Sequence, residues 1–335
     1  MKIQLPNSAF LGNIDPFFKS IDIDDSSSLE ITFNEKWVSV HPIVLCMISA
    51  LWLSTKNKSN LKIQTLETKS KNYFERIGLF KILGYDSGIN IIEHDPSGRF
   101  IPITIVKNSD ELNNFIKDMI PLLHQEPEQV NPIKYVISEL VRNVFEHSKS
   151  NSGAIISAQY YKKSNTIRIG VVDNGIGITE AISKSYYAES DIDAIKMALT
   201  PGITGTTTNI GGTEFNAGAG LFFIKSIAKV NRDFFVMYSG DAMYKLLRTP
   251  TKNKNIILYS DPFNDKCSKK ENLPYWQGTA VGIDICLDKH QAFDQLLDLI
   301  KKTYRKSRNE QKKRDLKNQD SYERNRTIPP NRQLC

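Results

Sequence analysis

The residue types best suited to chemistry stand together on one predicted helix. Residues 132–148 place apolar side chains at the spacing of a single helical stripe, and that stripe must be buried. Glu139, Asn143 and Glu146 fall at i, i+4 and i+7 on the flank of the stripe. A carboxylate can accept a proton and an amide oxygen can bind a hard cation, so this row suits a cleft. An amphipathic helix with an ordinary polar border fits the same pattern.

Three further stretches follow this helix along the chain. Residues 166–173, T-I-R-I-G-V-V-D, predict a strand that runs directly into D-N-G-I-G-I at residues 173–178. A stretch rich in Gly, Thr and Asn then ends in G-A-G-L-F at residues 218–222, at the start of an apolar helix. Gly278 and Thr279 open the last predicted strand. Taken singly, these stretches also fit a turn, a flexible loop and a plain strand.

Together the four motifs resemble the GHKL ATP-binding fold of histidine kinases, anti-sigma-factor serine kinases, Hsp90, gyrase B and MutL. That fold has an E-x-x-x-N helix, D-x-G-x-G after a strand, a mobile lid, G-x-G-L at a helix start and a late Gly-Thr. The motifs occur here in the family's order between the helix at residue 132 and the strand at residue 279. The combination is specific, although no single part is. The resemblance implies that the chain binds ATP with Mg²⁺.

The resemblance assigns roles to four side chains. Asn143 is the predicted ligand of Mg²⁺, which needs few protein ligands because it keeps several waters. Glu139 is the predicted general base. Asp173 is predicted to accept a hydrogen bond from the adenine amino group, and the Thr279 hydroxyl to help bind the base. Arg142 lies about 100° around the helix from Asn143, which fits a surface position better than a phosphate contact.

Glycines supply the remaining part of the predicted site. Gly175 and Gly177 leave room for a base to lie against the backbone. Gly218 and Gly220 let the backbone approach phosphate, and Leu221 begins a helix whose first free N–H groups favour an anion. Residues 179–217, between the two glycine motifs, form the predicted lid, and we expect the γ-phosphate to order it.

The fold class predicted for the whole chain is α/β. A two-layer α/β sandwich of the Bergerat or GHKL type is predicted over residues 100–290, with three helices on one side of a mostly antiparallel sheet. Residues 291–335 are predicted to be a helix followed by a basic, disordered tail. The strands predicted for the sandwich cover residues 100–106, 154–161, 166–173, 234–239, 243–248, 255–260 and 279–287.

Residues 1–99 are predicted to be a small regulatory α/β domain. A strand at 29–33, a buried helix at 43–53, a strand at 61–66 and a helix at 73–83 resemble the order of a STAS domain. In STAS antagonists of anti-sigma factors, a phosphorylatable serine stands at the start of the buried helix. His41 and Pro42 occupy that place here, so no phosphosite is carried over.

Charge and composition limit the possible partners. The chain has a formal net charge of +7, and residues 301–335 alone carry +8, so the remainder is close to neutral. Contact with nucleic acid is therefore expected only through the tail. The most apolar run, residues 40–53, is too short to cross a bilayer, and the first residues lack a signal-peptide pattern. We expect a cytoplasmic protein whose four cysteines are free thiols.

Three functions remain open on the sequence. The first is an ATPase that acts as a nucleotide-dependent regulatory switch. The second is a serine protein kinase of the anti-sigma-factor type, with a STAS-like protein as its partner. The third is a non-catalytic nucleotide-binding module, and in each case a homodimer is a further possible assembly.

Overall fold

The strands and helices are defined within residues 1–64, 70–89, 100–123, 127–203, 220–250, 256–287 and 297–306 and at residue 309, which the computed structural model describes. The strands are β1 (Lys2–Leu5), β2 (Ser8–Ala9), β3 (Leu29–Phe33), β4 (Ser39–Val40), β5 (Leu61–Gln64), β6 (Phe100–Val106), β7 (Ala154–Tyr161), β8 (Thr166–Val172), β9 (Phe235–Gly240), β10 (Ala242–Leu246), β11 (Cys267–Lys270) and β12 (Trp276–Cys286). The helices are α1 (Asp15–Lys19), α2 (Pro42–Ser54), α3 (Lys71–Arg76), α4 (Leu79–Leu83), α5 (Ser109–Leu123), α6 (Pro127–Asn143), α7 (Gly177–Ile182), α8 (Asp191–Ala198) and α9 (Gly220–Val230).

Seven strands form the central sheet, in the order β11-β10-β9-β12-β8-β7-β6. Every neighbouring pair is antiparallel, which confirms the predicted sheet. The strand predicted at residues 255–260 is wrong where it is described, because residues 256–259 are irregular. The edge position next to β10 is taken instead by β11, in the register Leu246 opposite Cys267. Apolar composition alone did not reveal which segment pairs with that edge.

Helices α5, α6 and α9 cover one face of this sheet and complete the predicted α/β sandwich. Asn108 caps α5, since its Oδ1 accepts a hydrogen bond from the Glu111 N–H at 2.9 Å. The predicted start of α6 at Pro132 is wrong, because the helix begins at Pro127 and contains Pro132. After Asn143 it continues as a π-helical turn over Val144–Ser148.

The N-terminal residues cover the opposite face of the sheet. Helix α2 is buried around almost its whole circumference, as predicted, and packs against β7, β8 and β12. Strands β1, β3 and β5 form a separate three-stranded parallel sheet whose apolar residues belong to the same core. The helix predicted at residues 73–83 is divided into α3 and α4 at Gly78, which has a φ of +84°. The STAS resemblance and the boundary at residue 99 stay predictions.

A pair of glycines brings α2 into direct contact with the sheet. Gly170 of β8 stands opposite Gly282 of β12. A Cβ on Gly170 would overlap the backbone of Ile43, and a Cβ on Gly282 would lie 2.8 Å from Leu11 and 3.3 Å from His41. Because neither residue has a side chain, the first turn of α2 can rest on the middle of the sheet.

A buried polar cluster surrounds this contact. His41 is the N-cap of α2 and accepts a hydrogen bond from the Ile43 N–H through Nδ1, at 3.1 Å. Its Nε2 lies 3.3 Å from Oδ1 of Asp284, and Arg168 Nε lies 3.5 Å from the same oxygen. Arg168 in turn lies over the ring of Tyr161, 3.9 Å from its centre. Burial lowers the pKa of His41, so the imidazole is neutral in the folded protein.

No helix among the residues described is long and apolar enough to span a membrane. The cysteines that the structure describes, Cys46, Cys267 and Cys286, are free thiols, as predicted. Cys335 and the predicted tail beyond residue 309 lie outside the described residues, as do the turn-rich residues 90–99.

The burial of His41 makes acid stability depend on this residue. Its pKa in the folded protein lies below the ordinary 6.5, so folding favours the neutral form and stability is lost as the pH falls below 6.5. In His41→Asn the cap is retained and the titration is removed. We expect the wild type to lose up to about 1.4 kcal/mol per pH unit relative to His41→Asn. Urea unfolding of both proteins at pH 7.5 and 5.5 measures this difference, and parallel pH profiles would contradict it.

Candidate functional site

A pocket opens between α6, α7, the start of α9 and the ends of β8 and β12. Its walls are mainly apolar, with a few polar side chains at either end, as is usual for a small-molecule site. The residues that line it are Leu140, Asn143, Val144, His147, Ser148, Val171, Asp173, Gly177, Ile178, Ala181, Ile182, Ala198, Ile203, Gly220, Leu221, Met237, Thr279 and Val281. Six of the nine predicted site residues therefore meet around one cavity.

Asp173 forms one end of the pocket, directly after β8. Its side chain is buried, with 3% of the residue exposed. The backbone N–H of Gly175 donates to its Oδ1 at 2.8 Å, and the Thr279 backbone also stabilises the carboxylate. Burial is the largest influence and raises the pKa of Asp173 to about 7. A carboxylate this poorly solvated is suited to a ligand that brings a hydrogen-bond donor.

The loop after Asp173 is fixed by backbone contacts that differ from one glycine to the other. Gly177 has a φ of +77° and lines the pocket. Gly175 lies instead against the backbone of Ser148, where a side chain would overlap the carbonyl. The next residue, Ile176, donates its N–H to that carbonyl at 2.7 Å. The structure therefore assigns Gly175 to the packing of this loop on the end of the helix.

Sequence reasoning missed Ser239, which connects two of the motifs. Its hydroxyl accepts a hydrogen bond from the Ile178 N–H at 2.9 Å and donates one to the Gly278 carbonyl at 2.7 Å. The D-x-G-x-G loop and the Gly-Thr turn are thus held together from β9. A serine near the end of a predicted strand carries no signal of this role, since the contact depends on strand order.

Glu139, Asn143 and Gly220 meet at the opposite end of the site. A Cβ on Gly220 would lie 2.5 Å from Oε2 of Glu139 and 3.9 Å from Nδ2 of Asn143. Nδ2 of Asn143 is buried and has no hydrogen-bond partner in the protein. Leu221 lines the pocket beside Gly220 at the start of α9, whereas Gly218 lies outside the described residues. An unsatisfied amide beside a helix N-terminus suits a ligand that supplies polar atoms.

The carboxylate of Glu139 is held between burial and a positive charge. Burial raises its pKa, whereas Arg142, which donates a hydrogen bond from Nη2 to Oε1, acts in the opposite direction. Arg142 Nε also lies 3.7 Å from Oε1 of Glu146, so it bridges two carboxylates on the helix. Glu139 is therefore placed as a partly buried base with one oxygen engaged.

The π-helical turn adds His147 and Ser148 to the pocket wall. Turns of this kind are frequent at functional sites because they shift the side chains that follow them. Burial lowers the pKa of His147, which favours its neutral form. His147 was recognised only as an extension of the polar row, since a sequence pattern does not mark a π turn.

The described part of the predicted lid belongs to the packed domain. Residues 179–199 include most of α7 and all of α8, which contact each other and the β9–β10 hairpin. Asp191 accepts hydrogen bonds from the Thr179 hydroxyl and from the Asp241 N–H. The predicted lid is thus too long at its N-terminal end, and residues 204–217 of it lie outside the described residues.

Comparison with protein families identifies this domain. Residues 128–257 match the family model of histidine kinase-, DNA gyrase B- and HSP90-like ATPases. The chain therefore carries a GHKL-type ATPase domain, as the motifs predicted, and this family implies ATP binding. The match includes Glu139, Asn143 and Asp173, whereas Thr279 and the N-terminal residues lie outside it. No curated protein matches the chain.

Replacing Asp173 should separate stability from binding. Because the pKa of Asp173 rises from 3.8 to about 7 on folding, its charge destabilises the folded protein as the pH rises through that range. We expect Asp173→Asn to raise the free energy of unfolding at pH 8 by up to about 4 kcal/mol. Asparagine also places an NH₂ group in the pocket, so ATP affinity should fall at least about tenfold.

Urea unfolding at pH 5 and pH 8, with calorimetric titration of ATP, measures both effects. Asp118→Asn is the matched control, since Asp118 is an exposed residue of α5. It should change neither quantity. An Asp173→Asn protein that is less stable at pH 8, or that binds ATP like the wild type, would contradict this account of the carboxylate.

Proposed function

We propose that this chain binds Mg-ATP in the pocket and cleaves the γ-phosphate, acting as a nucleotide-dependent regulatory switch. The observation that carries the proposal is the polarity of the single pocket. A buried carboxylate at Asp173 lies at one end, and Glu139, Asn143 and the start of α9 lie at the other. This spacing of acceptor, apolar wall and anion-binding helix end matches the base, sugar and phosphates of a nucleotide.

Adenine is the base that the Asp173 end fits. Its exocyclic amino group donates a hydrogen bond, which would satisfy a carboxylate that is shielded from water. Thr279 adds a hydroxyl on the adjacent strand, and Gly177 leaves the backbone open to a flat ring. Guanine presents a carbonyl oxygen where adenine has its amino group, and that oxygen would face the Asp173 charge.

The other end is suited to phosphate and a divalent cation. Asn143 has a buried amide group without a protein partner, and rotation of that amide can present its oxygen to Mg²⁺. When bound, Mg²⁺ would neutralise phosphate charge. The Glu139 Oε2 atom faces the first residue of α9, where it is placed to accept a proton from an attacking water or hydroxyl.

A contact between the nucleotide loop and the N-terminal residues supports the switch. Asn174 follows Asp173, and its Nδ2 donates to the hydroxyl of Ser54 at 3.0 Å and to that of Ser152 at 3.1 Å. Ser54 is the last residue of α2. A ligand that shifts the Asp173 loop would therefore act on α2, and we propose that the regulatory signal passes through this contact.

The burial of His41 argues against phosphorylation of the N-terminal residues at the start of α2. His41 has no exposed surface and is enclosed by Asp284 and the sheet. Ser39 lies on β4, which is paired with β2. Transfer to water or to a separate protein, including a STAS-like partner, is therefore favoured over transfer within this unit.

Release of phosphate from γ-labelled ATP tests the proposal. The full chain with Mg²⁺ should release phosphate, and Glu139→Gln should still bind ATP while its rate falls about 100-fold or more. Asn143→Ala should lose both metal-dependent binding and turnover. Lys134→Gln, which removes a charge about two turns earlier on α6, is the matched control and should keep wild-type turnover.

The same reactions, resolved on a gel, distinguish the alternatives. Label that appears on an added STAS-like protein rather than in free phosphate would identify a protein kinase. Wild-type protein that binds ATP but releases no phosphate and labels no protein would overturn catalysis and leave a nucleotide-binding module.

The lid proposal has its own measurement. We propose that residues 204–217 close over the γ-phosphate, since the segment is rich in Gly and Thr and joins α8 to the phosphate end of α9. Limited proteolysis should then be slower at these residues with a non-hydrolysable ATP analogue than with ADP or no nucleotide. Equal cleavage rates in all three conditions would rule out such a lid.

A further inference from the structure

The polar row on α6 contains a salt-bridge ladder that runs from the site to solvent. Arg142 donates a hydrogen bond from Nη2 to Oε1 of Glu139, and its Nε lies 3.7 Å from Oε1 of Glu146. The exposed fractions of the side chains are 12% for Glu139, 41% for Arg142 and 46% for Glu146. The guanidinium thus reaches inward to a shielded carboxylate and outward to a solvated one.

The two oxygens of Glu139 have different surroundings. Oε1 is taken by Arg142, whereas Oε2 faces the α-carbon of Gly220, where a side chain atom would lie only 2.5 Å away. Rotation of the carboxylate would break the first contact and press the other oxygen on α9. The position of Oε2 therefore depends on what holds Oε1.

We propose that Arg142 is a positioning residue, which fixes the Glu139 carboxylate so that Oε2 faces the phosphate end of the site. This inference rests on the proposed cleavage of ATP. A planar guanidinium suits the role because its fork of N–H donors sets the orientation of a carboxylate as well as its charge. Glu146 holds the guanidinium from its solvent side.

The geometry favours this role over direct contact with phosphate. Arg142 is not among the described residues that line the pocket, although Leu140 and Asn143 on the same helix are. Its guanidinium already lies between two carboxylates. Phosphate binding would require Arg142 to leave both partners and turn around the helix.

Steady-state kinetics of the full chain with Mg-ATP test the assignment. Arg142→Gln should lower kcat about 10- to 100-fold while KM for ATP changes less than about twofold, because the base is misplaced and ATP binding is untouched. Arg142→Lys should restore part of the loss, since lysine supplies the charge without the fork. Lys134→Gln, on the same helix, should behave as the wild type.

A double variant tests whether Arg142 acts through Glu139. If it does, Glu139→Gln with Arg142→Gln should be no slower than Glu139→Gln alone. Additive losses, a raised KM with unchanged kcat, or turnover of Arg142→Gln equal to or faster than wild type would each overturn the inference. A wild-type chain without turnover would instead overturn the proposed catalysis itself, so the two failures are distinct.

Discussion

The close contact between α2 and the central sheet is the constraint on which the rest of the structure depends. Gly170 and Gly282 face each other across β8 and β12, and the first turn of α2 rests on them. These two strands carry apolar residues toward α6 and α9 on their other face. Because both faces must be kept from water, the N-terminal residues complete the ATPase domain rather than standing apart from it.

The candidate site stands at the end of these strands and keeps two carboxylates from water. Asp173 is stabilised by backbone N–H groups, and Glu139 by the Arg142 guanidinium, yet burial raises the pKa of both. Such groups reduce stability unless a ligand satisfies them, which is the usual relation between a binding site and its fold. The same loop reaches α2 through Asn174 and Ser54, so binding energy at the pocket can act on the N-terminal residues.

Much of the fold could be predicted because its signals are local. The apolar stripe of α6, the buried character of α2 and the strands at 100–106, 154–161 and 166–172 follow from periodicities of a few residues. Errors arose where a distant partner decides the outcome. Residues 256–259 have a strand-like composition, but β11 pairs with β10, and Pro132 is tolerated inside α6 because the helix begins one turn earlier.

By itself the sequence determined the motifs and their order, and so the GHKL-type domain and the identity of Glu139, Asn143, Asp173 and Gly220 as site residues. Motifs depend on residue types at short spacings, which a sequence displays directly. Tertiary structure alone decided that Gly175 packs on Ser148, that Ser239 joins two loops and that Arg142 holds one oxygen of Glu139. Except for the Arg142 pair, these contacts join residues far apart in the chain, and each depends on side-chain orientations that only the packed core fixes.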